Sequence, residues 1–318
     1  MVCKVGLAYG QELLLYSFPG NHPMNSKRIA TFYEKLKREG FLEKKNVVTV
    51  KPEFASEEDL MLFHTRDYVS FVKEKSVEGR GLLDDEDTPA FKGVFEAASY
   101  VVGTTLKLVE MIMERKIDHG FNPMGGLHHA QRNSAAGFCV FNDAAVALLK
   151  LRTYYKLSRI LYFDIDAHHS DGVYYPFEQD GWLYYVDIHE DGRYLYPGTG
   201  SKEEKGKGEG YGKKINIPLR PNSGDREFLS ALNSVESFLQ EAKPEFIILQ
   251  AGGDGLEGDP ITDLRYSKKA HEETTRLLHE AAHRFSDGRL LVLGGGGYNV
   301  ENTSSAWVSV LKVLLGES

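Results

Sequence analysis

Short apolar runs bounded by turn formers alternate along the chain with longer stretches whose apolar residues recur at helical spacing. Residues 2–8, 160–163, 182–189, 215–219, 246–250 and 290–293 read as strands by their β-branched and aromatic content. Residues 24–37, 88–115, 142–154, 225–242, 267–285 and 299–315 read as helices. Their boundaries carry start and stop signals. Ser56-Glu-Glu-Asp59 has capping-box spacing, Thr65 heads a further short helix, Thr88-Pro89 places a cap before a first-turn proline, and Gly40 and Pro244 close what precedes them. Residues 121–129 are expected as a Gly-rich loop. Residues 202–214 are charged and Gly-rich, and they match neither a phosphate-binding nor a dinucleotide fingerprint, so they are expected as a surface loop. Alternation over the whole length implies one α/β domain spanning residues 1–318, with a mainly parallel sheet between helical layers.

The chemistry gathers where residues 160–163 end. Ile160, Leu161, Tyr162 and Phe163 run into Asp164, Asp166, His168 and Asp171. In a parallel sheet that end opens on the crevice where ligands bind, and alternate residues of an extended chain share a side. Asp166 and His168 thus present a carboxylate and an imidazole suited to Zn²⁺ or a similar ion. Asp254 follows the run 246–249 in the same way and makes a third ligand. Three protein ligands leave one position open, as in catalytic zinc sites. His128-His129 supply a general base near neutral pH, Asp164 and Asp171 orient the imidazoles, and Tyr298, after the glycine run 294–297, donates a hydrogen bond to an oxyanion. The plainer alternatives are solvated acids at a strand end and a core tyrosine beside a turn.

Composition narrows the partners. With 42% hydrophobic and 26% charged residues, the 318-residue chain can bury a large core. A formal net charge of −8 opposes a general nucleic-acid or membrane-surface binder and suits a basic partner. Cys3 and Cys139 give no disulfide framework. Residues 1–17 lack the basic and apolar regions of a signal peptide, and no long apolar span follows, so the expected location is the cytoplasm.

Taken together, His128-His129, Gly137-Phe138-Cys139, the stretch from Asp164 to Gly172, Tyr196-Pro-Gly-Thr-Gly200, Gly253-Asp254, Gly258-Asp259-Pro260 and Gly294 to Tyr298 resemble the motifs of zinc-dependent histone deacetylases. That superfamily also includes the acetoin-utilisation proteins and acetylpolyamine amidohydrolases. The resemblance runs from His22-Pro23-Met24 and Arg28 to Asn299 and Trp307. It implies the arginase/deacetylase fold, a single three-layer α/β/α domain, and hydrolysis of an N-acetyl group to an amine and acetate. It implies Asp166, His168 and Asp254 as ligands of Zn²⁺ or Fe²⁺. His129, backed by Asp171, becomes the principal base and later the acid; His128, backed by Asp164, is mainly electrostatic. Tyr298 serves the carbonyl oxygen. Phe138 and Tyr196 become tunnel walls with Gly137 giving room, Asp87 a rim carboxylate for substrate backbone, Arg28 a residue near the acetate-release pocket, and Gly297 part of the loop beside substrate. A structural K⁺ on backbone carbonyls near residues 164–168 is also implied. Leu195 stands where many members have an aromatic residue, and Asp187 where many have a serine at that potassium site. The substrate expected is an acetyl-lysine side chain on a peptide or protein; an acetylpolyamine or other small acetylated amine is the alternative within the chemistry, and a non-catalytic reader of acetylated ligands the alternative outside it.

Two rivals arise from the residues. His279-Glu280-Ala-Ala-His283 matches the H-E-x-x-H of zinc metalloproteases, with Glu301 downstream. The helix wheel puts Ala270, Thr274, Leu277, Leu278, Ala281 and Phe285 on one face and His279 and His283 on the other, so these histidines are expected to be solvated. An arginase-type two-metal site needs further carboxylates beside Asp254, where Gly252 and Leu256 stand. Of the other histidines, His22 and His64 are expected to be structural, His119 and His271 to lie at the surface or its boundary, and His169 and His189 to lie around the site.

Overall fold

The computed structural model describes residues 3–84 and 87–317; Val2, the first residue of the expected first strand, lies outside them. In chain order the elements are β1 (Val5–Ala8), α1 (Lys27–Arg38), β2 (Val47–Val50), α2 (Glu57–Leu60), α3 (Arg66–Glu78), α4 (Val94–Met113), β3 (His119–Asn122), α5 (Asp143–Thr153), β4 (Ile160–Asp164), α6 (Asp171–Tyr174), β5 (Leu183–Glu190), β6 (Lys214–Leu219), α7 (Asp225–Ser234), α8 (Glu236–Ala242), β7 (Phe246–Gln250), α9 (Lys269–Phe285), β8 (Leu290–Leu293) and α10 (Val300–Leu314). Among the described residues, eight strands form one sheet in the order β2-β1-β3-β8-β7-β4-β5-β6, and each adjacent pair is parallel. Parallel strands put all their C-terminal ends on one rim, so the polar segments after β3, β4, β7 and β8 are neighbours there.

Helices cover both faces, and β3 shows how. Successive residues of a strand point to opposite faces. On one, Gly120 lies against Leu108 and Ile112 of α4; on the other, Phe121 packs on Phe32 of α1 and Trp307 of α10, with ring centroids 5.6 Å and 6.5 Å away. The layers are α4 with α3 and α5 on one side, and α1, α9 and α10 on the other. The central strands β4 and β7 are buried along their whole length, as expected of a sheet covered on both faces. Among the described residues no helix is long and apolar enough to cross a membrane.

One glycine is set by close approach. A Cβ on Gly103, inside α4, would run into the carbonyl oxygen of Glu53 and the backbone of Phe54 and Ala55. Alanine would gain about 1 kcal/mol of helix propensity, but forcing atoms into a packed contact costs about 1–3 kcal/mol. Gly103→Ala is therefore expected to lower the midpoint of thermal unfolding; a midpoint raised by the helix-propensity gain would show that α4 can shift away from residues 53–55.

Three expectations about elements differ from the structure. Residues 119–122 are strand β3, which takes Phe121 and Asn122 out of the expected loop 121–129: Gly120 fits beneath α4, and β1 and β8 supply the ladder on either side. The long helix begins at Val94, not after Thr88-Pro89, because the Thr88 hydroxyl accepts the amide of Phe138 at 3.1 Å and Pro89 bridges Leu82. Residues 225–242 form two helices that break at Val235, where the Ser234 hydroxyl donates to the carbonyl of Ala231 at 2.6 Å and competes with the helical ladder. The edge strand β2 is absent from the expected set, whereas the capping box at Ser56 and the cap at Thr65 are present.

Candidate active site

Asp166 and His168 follow β4, and Asp254 follows β7, its neighbour in the sheet. His168 Nδ1 lies 3.0 Å from Asp166 Oδ1 and 3.1 Å from Asp254 Oδ2. The three donor atoms lie within 4.8 Å of one another and are almost fully enclosed. Two glycines make this cradle possible. A Cβ on Gly252 would overlap the Asp166 carboxylate, and one on Gly296 the Asp254 carboxylate. The remaining oxygens are held by Gln250 Nε2 and Gly296 N, both on Asp166 Oδ2 at 2.9 and 2.7 Å, and by Ala167 N on Asp254 Oδ1 at 2.8 Å. Burial and the adjacent Asp166 push Asp254 up to about 7, and against its own burial Asp166 is held low by His128 and His168. Two crowded carboxylates and an imidazole, with one side open to a cavity, fit a divalent cation in a site with a free position.

The histidine pair stands beside them on the segment after β3. Asp143 holds that segment by accepting the amides of Gly126 and Leu127 at 2.9 Å. His128 Nδ1 is 2.9 Å from Asp164 Oδ2, which also accepts the hydroxyl of Tyr162 at 2.6 Å. His129 Nδ1 is 2.6 Å from Asp171 Oδ1, whose other oxygen accepts Gln131 Nε2 at 3.0 Å. The two Nε2 atoms meet at 3.1 Å. Their environments differ in sign. Burial pulls His128 down, but Asp164 and Asp166 outweigh it and raise it to about 9. Burial and the neighbouring His128 lower His129 to about 4 against the pull of Asp171. Burial raises Asp164 to about 6 in spite of His128, still below its partner, so at neutral pH the His128–Asp164 pair is ionic.

A cavity of about 250 Å³ opens over these groups, lined by both histidines, Asp166, His168, Gly137, Phe138, Leu195, Tyr196 and Tyr298, with Asp87 at its mouth. The Tyr196 ring lies 5.1 Å from that of His129, and Phe138 faces Tyr298 at 6.0 Å. Gly137 has a positive φ, and a Cβ there would strike the His129 ring at 2.5 Å, so glycine is required beside the imidazole. Burial and nearby Asp254 push the Tyr298 phenol well up, which keeps it a proton donor. Its backbone is pinned by Asp259, which accepts the Tyr298 amide at 2.7 Å. Arg28 does not line the cavity. It is buried beneath the glycine run and donates to the carbonyls of Gly295, Gly296 and Gly297 at 2.5, 2.9 and 2.6 Å. Gly297 likewise faces Arg28 through its carbonyl rather than the cavity.

Several supporting groups escape sequence reading: Gln250, Gln131 and Asp143 each act through a partner remote in sequence, and Tyr162 acts on Asp164 two residues along its own strand. Gln250 had the best signal, a polar residue ending an otherwise apolar strand. At the position expected to bear on potassium, Asp187 accepts Ser170 N at 2.9 Å and the Tyr185 hydroxyl at 2.6 Å and pairs with His189 Nδ1 at 2.7 Å. Four histidines depart from expectation. His119 is fully buried at the start of β3 beneath α9, and His271, on the first turn of α9, is buried with Nε2 on the carbonyl of Gly252 at 2.8 Å. His279 and His283, expected to be solvated, are half-buried, because Cys3 packs against them at 3.5 and 3.3 Å.

Comparison with known proteins agrees with this geometry. The profile described as histone deacetylase domain matches residues 22–314. The chain is similar to the acetoin utilization protein AcuC of Bacillus subtilis (strain 168), 41% identical over 300 residues that cover 92% of this chain and 77% of the relative. It is also similar to AcuC of Staphylococcus aureus (strain MSSA476), 34% identical over 324 residues covering 99% and 82%. Among solved structures, the HD domain of HDA15 superposes with a TM-score of 0.90 at 28% identity, covering 99% of this chain and 89% of that one. A domain match over nearly the whole chain and relatives above a third identical carry the same conclusion as the fold: the protein is a member of the histone deacetylase family.

Proposed function

We propose that the protein is a metal-dependent amidohydrolase that removes acetyl groups from acetylated lysine side chains of a peptide or protein, with residues 1–318 as one catalytic domain. The observation that carries this reading is the convergence, at the floor of one narrow cavity, of three metal-type ligands, a histidine pair each backed by its own carboxylate and a buried phenol. Asp166, His168 and Asp254 would hold the ion, with Zn²⁺ the fitting choice; once bound, it supplies a Lewis acid for the amide carbonyl and lowers the pKa of water from 15.7 toward about 7.

The protein's own groups do the rest. Phe138 and Tyr196 offer aromatic walls to a methylene stem, and the exposed Asp87 stands where the peptide backbone would pass. With Nδ1–H committed to Asp171, neutral His129 has an unprotonated Nε2, which accepts from the His128 cation at 3.1 Å and would turn to the proton of the attacking water. The same proton then goes to the leaving nitrogen, which departs as the amine while the acyl carbon leaves as acetate. Tyr298 donates to the oxygen that becomes negative, and the His128 cation lies beside that charge. Cys3 and Cys139 are both thiols, which supports a reducing cytoplasmic setting.

The test is acetate release from an acetyl-lysine peptide, with an acetylpolyamine run in parallel. Chelated protein is expected to be inactive and Zn²⁺ to restore it. Tyr298→Phe should lower kcat on the order of 10²–10³-fold with little change in KM, as for the loss of one oxyanion donor. Release from the polyamine alone would move the substrate to small amines, and metal-loaded protein that binds both without turnover would make the chain a reader.

A further inference from the structure

At the opposite end of the sheet from the cavity, a second group of ligand-type side chains meets. Cys3 lies just before β1, His119 opens β3, and His279 and His283 stand one turn apart on α9. Cys3 Sγ is 3.5 Å from His279 Nε2 and 3.3 Å from His283 Nε2, and the two Nε2 atoms are 3.2 Å apart. The His119 ring lies 4.8 and 5.3 Å, centroid to centroid, from those of His279 and His283, and one donor atom from each of the four residues falls within a mutual 4.8 Å. His119 is fully buried, and neither of its ring nitrogens makes a hydrogen bond. A buried imidazole without a partner is costly, and a ligand at the centre of this group would remove the cost.

We propose that Cys3, His119, His279 and His283 form a structural site for Zn²⁺ or a similar borderline-soft divalent ion, tying β1 and β3 to α9. The spacing fits. With metal–nitrogen bonds of about 2.0–2.1 Å and a metal–sulfur bond of about 2.3 Å, a tetrahedral ion sets its nitrogens about 3.3 Å apart and its sulfur about 3.6 Å from each. The observed separations among Cys3, His279 and His283 are close to these values before any ion draws the ligands in. Four protein ligands close the coordination shell, which marks a structural rather than a hydrolytic site. The H-E-x-x-H pair therefore serves no protease chemistry: Glu280 is exposed, and Glu301 pairs with Lys35 at 2.7 Å. Burial, with the other two histidines, pushes His119 down to about 3, and burial with His283 pushes His279 down to about 4, so both offer unprotonated nitrogen at neutral pH. Binding takes one proton from the Cys3 thiol to solvent and leaves the imidazoles neutral, with no change of oxidation state.

Cobalt distinguishes this site from the active one, whose ligands are two carboxylates and an imidazole and include no sulfur. Full-length protein is stripped with chelator, titrated with Co²⁺, and followed by metal content and absorption. Wild type is expected to bind two ions per chain with a thiolate-to-cobalt band in the near ultraviolet. An Asp166→Asn/Asp254→Asn variant should keep one ion and the band. A Cys3→Ser/His283→Gln variant should keep one ion, lose the band, unfold at a lower temperature, and retain acetate release per folded molecule. Cys139→Ser should leave the band in place. An active-site variant that binds no cobalt, or cobalt-loaded wild type without the band, would overturn the proposal, and neither result depends on whether the Cys3→Ser/His283→Gln variant folds.

Discussion

Asp254→Asn protein, chelated and then dialysed against Zn²⁺, is expected to release acetate no faster than buffer while remaining folded. The substitution keeps an oxygen that can accept the amide of Ala167, as Asp254 Oδ1 does at 2.8 Å, so the segment after β7 has its backbone contact. What it removes is one of the two negative charges that the site offers to a cation. The crowding that raises Asp254 to about 7 is relieved in the unliganded protein, so the variant gives up the very repulsion that a cation would neutralise. Losing the ion also loses water activation, a change of about nine in the pKa of the nucleophile, and no other group in the cavity supplies it. Gln250→Leu makes the graded companion. Gln250 donates to Asp166 Oδ2 from 2.9 Å, and removing such a supporting bond typically costs about 10–100-fold in metal affinity or activity. Metal content and acetate release measured on the same samples decide the matter. Asp254→Asn protein that binds as much metal as wild type and turns over within tenfold of it would take Asp254 out of the site.

These ligands were legible in the sequence for a physical reason. A carboxylate or imidazole placed where a buried apolar strand ends has a poor environment unless it meets a partner, and in a parallel sheet the ends of neighbouring strands supply partners for one another. Asp166 after β4 and Asp254 after β7 announce themselves in that way. The groups behind them do not. Gln131 and Asp143 look like ordinary loop and helix residues until the fold brings Asp171 and the segment at Gly126 to them, and Tyr162, which shares a strand face with Asp164, looks like one more core aromatic. Arg28 shows a different limit: its guanidinium donates to three carbonyls of the glycine run that carries Tyr298, a support that no motif announced beside the place near an acetate-release pocket that the resemblance implies. The helix wheel of α9 shows a third. It correctly set His279 and His283 off the main apolar face, but a wheel does not show what packs there. The start of β1 and the start of β3 do, and they bring Cys3 and His119.

Replacing His129 by Gln is expected to cost on the order of 10²–10⁴ in kcat, the usual worth of a positioned proton-transfer group, whereas His128→Gln should cost less. Two adjacent imidazoles in opposite environments take different roles. His129 is lowered to about 4, so it is a neutral base from that pH upward; as pH falls through that value it is protonated and the rate falls with it. His128 is raised to about 9, so its cation persists to that pH and is lost above it. The pH profile of kcat should therefore be bell-shaped, with its acid limb reporting His129 and its alkaline limb reporting His128. Asp164 is the strongest influence holding His128 up, from 2.9 Å. Asp164→Asn removes that charge and should move the alkaline limb toward lower pH while leaving the acid limb nearly in place. Asp171→Asn should act on the other limb, because Asp171 is what holds His129 as high as it is; the acid limb should move to lower pH and the maximal rate should fall with the weaker base. Acetate release measured across pH for the four variants separates the roles. If Asp164→Asn shifts the acid limb instead, the two histidines have exchanged functions and His128 is the base.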